Sequence, residues 1–177
     1  MKLLIMCEGP NELEVMKILQ ENNCLSFTTD DLLGLVPYHA RQIATSPAVK
    51  VALNIYAGTV KVLRIGDSQT DKLKIPLEYK DKVMEIEKYC TKPELEMLLI
   101  IAENLDSEYE KVKSSMKPKV FAKHNIQHGR KSYDNSTKFY RNYFENNCDV
   151  LVNCLKTYKQ TKGSHKKDEL YLVDLLK

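Results

Sequence analysis

No apolar run in this chain of 177 residues approaches the ~20 residues needed to span a bilayer, which argues against an integral membrane protein. The apolar start is also short. Only five such residues separate Lys2 from Glu8, too few for a signal-peptide core. The five cysteines (Cys7, Cys24, Cys90, Cys148 and Cys154) contain no Cys-x-x-Cys pair. Zinc ribbons and a disulfide framework are therefore poor readings, and a reducing cytoplasm is the expected compartment. Lys167-Asp168-Glu169-Leu170 has the letters of a retention signal but is internal, so it cannot act as one. Gly-x-Gly-x-x-Gly and Gly-x-x-x-x-Gly-Lys-Ser/Thr are both missing, so dinucleotide and P-loop readings lack their phosphate cradle. There is no Gly-x-Ser-x-Gly elbow either. His124 and His128 have the i, i+4 spacing of zinc ligands, but no catalytic Glu lies between them.

What remains is an ordinary globular composition, 43% hydrophobic and 29% charged, which argues against global disorder. The net charge of +3 hides an asymmetry. Residues 1–110 carry 12 basic against 18 acidic side chains, net −6, and residues 111–177 carry 15 against 6, net +9. An acidic half suited to metal and a basic half suited to phosphate would give this pattern, as would two solvated surfaces.

Lys2 to Cys7 reads as a buried strand that ends in the turn Glu8-Gly9-Pro10-Asn11-Glu12. Pro10 suits a helix start, and Leu13, Val15, Met16, Ile18 and Leu19 give residues 11–21 one broad apolar face. A second strand is expected at 32–36 and a helix at 39–56 with a break at Ser46-Pro47. The β-branched stretch 60–67 reads as a strand and 76–89 as a helix. Another helix is expected to open at Pro93. Beyond residue 105 the pattern predicts a last strand at 120–122 and helices over 135–146, 150–158 and 168–176. Alternating strands and helices imply an α/β fold with a mostly parallel, Rossmann-like sheet flanked by helices. The expected division is a core over 1–110 and a basic, mainly helical extension over 111–177 packed on the same domain.

In such a sheet chemistry gathers at the carboxyl ends of the strands. The first strand ends at Glu8 and a later one at Asp67; Glu12 lies one helical turn past Glu8, and Asp71 is four residues past Asp67. Glu94 and Glu96 follow Pro93, in what is read as the first turn of a helix. Each acid alone has an ordinary explanation: Glu12, Glu94 and Glu96 suit a helix start, while Asp67 and Asp71 suit a turn. Gathered together they would repel, by roughly 4 kcal/mol per pair at 4 Å and an effective dielectric of 20. A hard divalent cation would remove that penalty. The oxygen-only set favours Mg²⁺ or Mn²⁺ over zinc.

Cys7-Glu8-Gly9-Pro10-Asn11-Glu12 resembles the first motif of the Toprim domain, closest to its small stand-alone and OLD-type nuclease versions. Ile65-Gly66-Asp67-Ser68-Gln69-Thr70-Asp71 resembles the second motif, with Gln69 where the family usually has a second Asp, so that Asp71 would have to substitute. Lys92-Pro93-Glu94-Leu95-Glu96 resembles a third acidic motif. The resemblance covers residues 1–105. It implies a Toprim-like fold and a Mg²⁺-dependent (or Mn²⁺-dependent) nuclease cleaving phosphodiesters in DNA or RNA, in phage defence, RNA processing or repair. Glu8 would be the general acid/base, joined by Asp67 as a catalytic residue, and the metal ligands would be Glu8, Glu12, Asp67, Asp71 and Glu96. A partner ATPase is compatible with the OLD-type likeness, and homo-oligomers are open. One alternative is a catalytically silent Toprim-like module that binds nucleic acid or protein; another, weakened by the chain's size, is a different phosphotransfer enzyme such as a primase-like polymerase or topoisomerase fragment.

The basic half supplies the expected nucleic-acid contacts: Lys113, Lys117, Lys119, Lys123, Arg130, Lys131, Lys138 and Arg141, with Lys166 and Lys167 as a smaller cluster. Phe121, Tyr133, Phe139, Tyr140, Tyr143 and Phe144 are interleaved with them and could stack on unpaired bases. The spacing of the last four fits a packed helix face better.

Overall fold

The computed structural model describes residues 1–67, 72–92, 94–161 and 169–177. The apolar run at the start forms β1 (Lys2–Cys7), and Pro10 opens α1 (Pro10–Glu21), which buries Val15, Met16, Ile18 and Leu19. The two-residue β2 (Tyr38–His39) lies beside the end of β1. Ser46 then caps α2 (Pro47–Ile55), its hydroxyl accepting from the Val49 N–H at 3.5 Å. β3 (Val60–Gly66) runs along the whole of β1, from Lys2 opposite Val60 to Cys7 opposite Ile65. β4 (Val83–Cys90) pairs with β3. A helical stretch follows: α3 (Met97–Ala102), α4 (Asp106–Val112) and α5 (Pro118–Asn125). The short hairpin β5 (Gln127–His128) and β6 (Lys131–Ser132) leads to α6 (Thr137–Phe144) and α7 (Cys148–Thr161). β7 (Leu170–Tyr171) returns to pair with β4.

The result is an α/β fold around a five-stranded sheet of order β2-β1-β3-β4-β7, with every pairing parallel. Successive side chains of a strand face opposite sides, so β1 and β3 divide between two cores. Ile5, Cys7, Leu63 and Ile65 join the larger one with α1, α3, α5, α6 and α7. Leu4, Met6, Val60 and Val62 join the smaller one with Val49 and Leu53 of α2. Strands buried on both faces read as continuous apolar runs, as β1 does. Among the described residues no helix is long and apolar enough to cross a membrane.

Six expectations fail; one is the helix expected to open at Pro93, which starts only at Met97, Pro93 itself lying outside the described residues. The other five fail for a local or a pairing reason. The strand expected at 32–36 is a 3₁₀ turn over Leu33–Leu35: Gly34 and Leu35 take φ of 69° and 66°, outside the strand region, and Leu32 makes one isolated bridge to Leu3. The helix expected from His39 begins only at Pro47, at the expected break, because Tyr38 and His39 pair with Met6 and Cys7 and the Ala40 N–H donates to the Cys7 carbonyl at 3.0 Å. Residues 76–89 hold a 3₁₀ turn (Leu77–Tyr79) and then β4, not a helix. The open edge of β3 makes β4 a strand, reinforced by Lys61 between Glu85 and Glu87 at 3.2 and 2.8 Å. Val120-Phe121-Ala122 is helical because Pro118 nucleates α5, which buries Phe121 and Ala122. The expected last helix is instead β7 and a 3₁₀ turn (Leu172–Leu175), so the basic extension donates the sheet's fifth strand.

Candidate functional site

The chain leaves β1 toward β2 on one side and returns to β3 on the other, so a crevice opens at the carboxyl ends of β1 and β3. Glu8 and Asp67 stand there on neighbouring strand ends, and the Glu8 N–H donates to the Ile65 carbonyl at 2.8 Å. Glu8 is only 5% exposed. Its carboxylate lies against Gly66, where a Cβ would come 2.2 Å from Oε2. Arg64 Nη2 donates to Glu8 Oε1 at 3.1 Å inside the fold, and to the Arg41 carbonyl at 3.4 Å. The Arg41 Nε donates in turn to the Glu8 carbonyl at 3.2 Å.

Glu12 folds back from the first turn of α1 over Gly9, where a Cβ would come 2.3 Å from its Oε2. Burial raises its carboxyl above the ordinary range; a backbone hydrogen bond opposes this, and Asp67, Glu96 and Glu8 add to the rise in that order. Four of the acids named from the sequence, Glu8, Glu12, Asp67 and Glu96, thus share one electrostatic neighbourhood. Glu96 stands just before α3 rather than in its first turn and is buried. Its carboxyl is also raised, first by burial and then by Glu94, against the lowering effects of the Tyr133 hydroxyl and Lys119. The Tyr133 hydroxyl donates to Glu96 Oε1 at 2.7 Å, and burial together with Glu96 holds it protonated.

Glu12, Asp67, Glu94 and Glu96 line a polar cleft of about 180 Å³ together with Lys119 and Asn135. The Lys119 N–H donates to Glu94 Oε2 at 2.8 Å. With the Asn135 amide turned to satisfy its neighbours, its oxygen lies 2.9 Å from Lys119 Nζ and its nitrogen 3.2 Å from Glu96 Oε1. Glu8 borders a second, more open cleft of about 630 Å³ with His39, Arg41, Ser46 and the start of α2. Oxygen-only donors around a polar space fit a hard cation. In the geometry described, however, no three His, Cys, Asp or Glu side chains among the described residues are grouped to hold a metal ion. Asp71 and Gln69 lie outside the described residues.

The basic side chains are dispersed. Lys119 points into the acidic cleft, while Arg141 is held by Glu14 and Glu21 and ties α6 to α1. Lys113 pairs with Glu110 and Lys131 with Asp134. Lys117, Lys123, Arg130 and Lys138 are exposed, and Lys166 and Lys167 lie outside the described residues. Phe121, Tyr133, Phe139, Tyr140, Tyr143 and Phe144 are all buried, so these rings are core and not stacking platforms. His124 ends up in α5 and His128 in the following hairpin, so they share no helix face.

Arg64 was legible in principle. In Val-Lys-Val-Leu-Arg-Ile, Arg64 is the charge on the strand face it shares with the buried Val60 and Val62, and a charge there demands a buried partner. Tyr133 and Asn135, some forty residues from Glu96, carry no such sign in the sequence. No protein-family model, no curated protein and no solved structure matches this chain, so its reading rests on the site's own geometry.

Proposed function

We propose that this chain is a Toprim-like, Mg²⁺-dependent nuclease that cleaves phosphodiesters in DNA or RNA. The supporting observation is the polar cleft that Glu12, Asp67, Glu94 and Glu96 line together although they come from three separate stretches of chain; burial first, and then Asp67, Glu96 and Glu8, raise the Glu12 carboxyl. Such a gathering is costly unless a cation offsets it. Glu12, Asp67 and Glu96 would hold the cation, directly or through water, with Asp71 as a further ligand. When bound, it would polarise a phosphate and lower the pKa of an attacking water. Glu8, buried and oriented by Arg64, is the residue assigned to move the proton. Lys119 adds a positive charge in the same cleft, where a scissile phosphate would sit.

The test has two readouts. Supercoiled plasmid, single-stranded DNA and tRNA are incubated with Mg²⁺, Mn²⁺ or EDTA; metal-dependent cutting that falls about 100-fold or more in Glu8→Gln supports the reading. Independently, Mg²⁺ or Mn²⁺ should raise the thermal midpoint of the wild type and not that of Asp67→Asn. A second reading, a module that binds without cutting, is favoured by the lack of a ready three-acid group among the described residues. Binding of nucleic acid with no cutting under any metal condition would select it.

A further inference from the structure

Two thiols meet far from the acidic cleft. α1 ends at Glu21, Asn23 turns the chain with φ of 54°, and Cys24 follows. Cys24 is fixed on both sides: its N–H donates to the Leu19 carbonyl at 2.9 Å, and its carbonyl accepts from the Lys177 N–H at 3.1 Å. Cys148 is the first residue of α7. Their sulfurs are 3.0 Å apart across 124 residues of sequence. Both are partly exposed, whereas Cys7, Cys90 and Cys154 are buried.

We propose that Cys24 and Cys148 are a reversible modification site, joined by an intramolecular disulfide that ties the end of α1 to the start of α7. Closing the bond requires an approach of only about 1 Å. A small oxidant can reach this pair, and glutathione disulfide is the class assigned. Burial, and then the hydrogen bond with Cys24, raise the Cys148 thiol; exchange opened at either sulfur ends in the same bond, and with Cys24 first it runs in two steps. The Cys24 thiolate, its proton given to solvent, attacks one sulfur of glutathione disulfide; a mixed disulfide forms and one glutathione leaves and is protonated. Cys148, losing its proton, then attacks Cys24 sulfur and displaces the second glutathione. Two electrons pass from the cysteine pair to the oxidant, and the step reverses with excess reduced glutathione. This inference is independent of the nuclease reading.

The experiment equilibrates the full chain in glutathione buffers of graded ratio, blocks free thiols under denaturing conditions and maps the peptides by mass spectrometry. The expected product is one cross-linked peptide pair carrying Cys24 and Cys148, with the other three cysteines blocked. It should migrate faster on a non-reducing gel, unfold at a higher temperature than the reduced chain, and revert with dithiothreitol. Cys24→Ser and Cys148→Ser should each abolish it, and Cys154→Ala should not. A bond between other cysteines, a stable glutathione adduct without the internal bond, or only intermolecular dimers would overturn the proposal. Mapping the unsubstituted chain keeps the result decisive even if a variant fails to fold.

Discussion

At Gly66 the absence of one carbon decides where Glu8 can lie. A Cβ there would come 2.2 Å from the Glu8 Oε2 and 2.3 Å from Cδ, too close to be accommodated without moving the carboxylate off its Arg64 partner. The colliding atoms belong to a buried carboxylate paired with Arg64, so making room for a methyl group means disturbing that pair. Gly66→Ala should therefore cost about 1–3 kcal/mol in urea unfolding through overpacking, and more if the ion pair opens, since a buried charge deprived of its partner is expensive. In the nuclease assay the same substitution should impair cutting without changing nucleic-acid affinity, because the basic surface is untouched. A Gly66→Ala protein as stable as the wild type would show that Glu8 is free to leave Gly66.

At the scale of elements, α6 shows how a short helix is made stable by its ends and one face. Ser136 caps it, accepting from the Phe139 N–H at 3.2 Å. Asp134, just before, accepts from the Ser136 hydroxyl at 2.6 Å and the Ser136 N–H at 3.1 Å and pairs with Lys131. The Ser136 hydroxyl first, and then Lys131, pull the Asp134 carboxyl down to about 2. Its folded value lies below the ordinary value of about 3.9, so its contribution to stability is fully present above that ordinary value and disappears as the pH falls toward about 2. Asp134→Ala should accordingly lower the thermal midpoint at neutral pH, with the gap to wild type closing between about pH 4 and pH 2. A gap that stays constant down to pH 2 would mean that the carboxylate's charge is not what matters. On the inner face Phe139, Tyr140, Tyr143 and Phe144 fill the larger core, and Arg141 fastens α6 to α1, the helix that carries Glu12.

Over the whole molecule, the charge asymmetry of the sequence becomes a spatial arrangement more mixed than the two halves suggest. One cation of the basic half, Lys119, joins the acids; another, Arg141, is spent between helices; and Lys117, Lys123, Arg130 and Lys138 remain on the surface. With the aromatic rings buried, any nucleic-acid affinity must come mainly from phosphate contacts. It should then fall steeply with salt, and charge-removing substitutions of Lys117, Lys123, Arg130 and Lys138 should each make the logarithmic salt slope shallower by about one unit or less. Filter binding or fluorescence anisotropy across a salt series measures this. A slope indifferent to these four would move the interface elsewhere.

The sequence by itself determined the elements whose information is local. β1 and β3 are apolar or β-branched runs bounded by turns, α1 and α6 carry a clear apolar face and a stop or cap, and the acids Glu8, Glu12, Asp67 and Glu96 could be named from their place beside those elements. Only the tertiary structure decided β2, β4 and β7, because each is a strand through pairing with a neighbour: β4 exists beside β3, and β7 beside β4 from eighty residues away. The same holds for Arg64 on Glu8, Tyr133 and Asn135 at Glu96, Lys119 in the acidic cleft and Cys24 against Cys148. Backbone preference and hydrophobic period act over a few residues and are written into each stretch of chain, whereas hydrogen-bond and charge partners are fixed by which surfaces the packed core brings face to face.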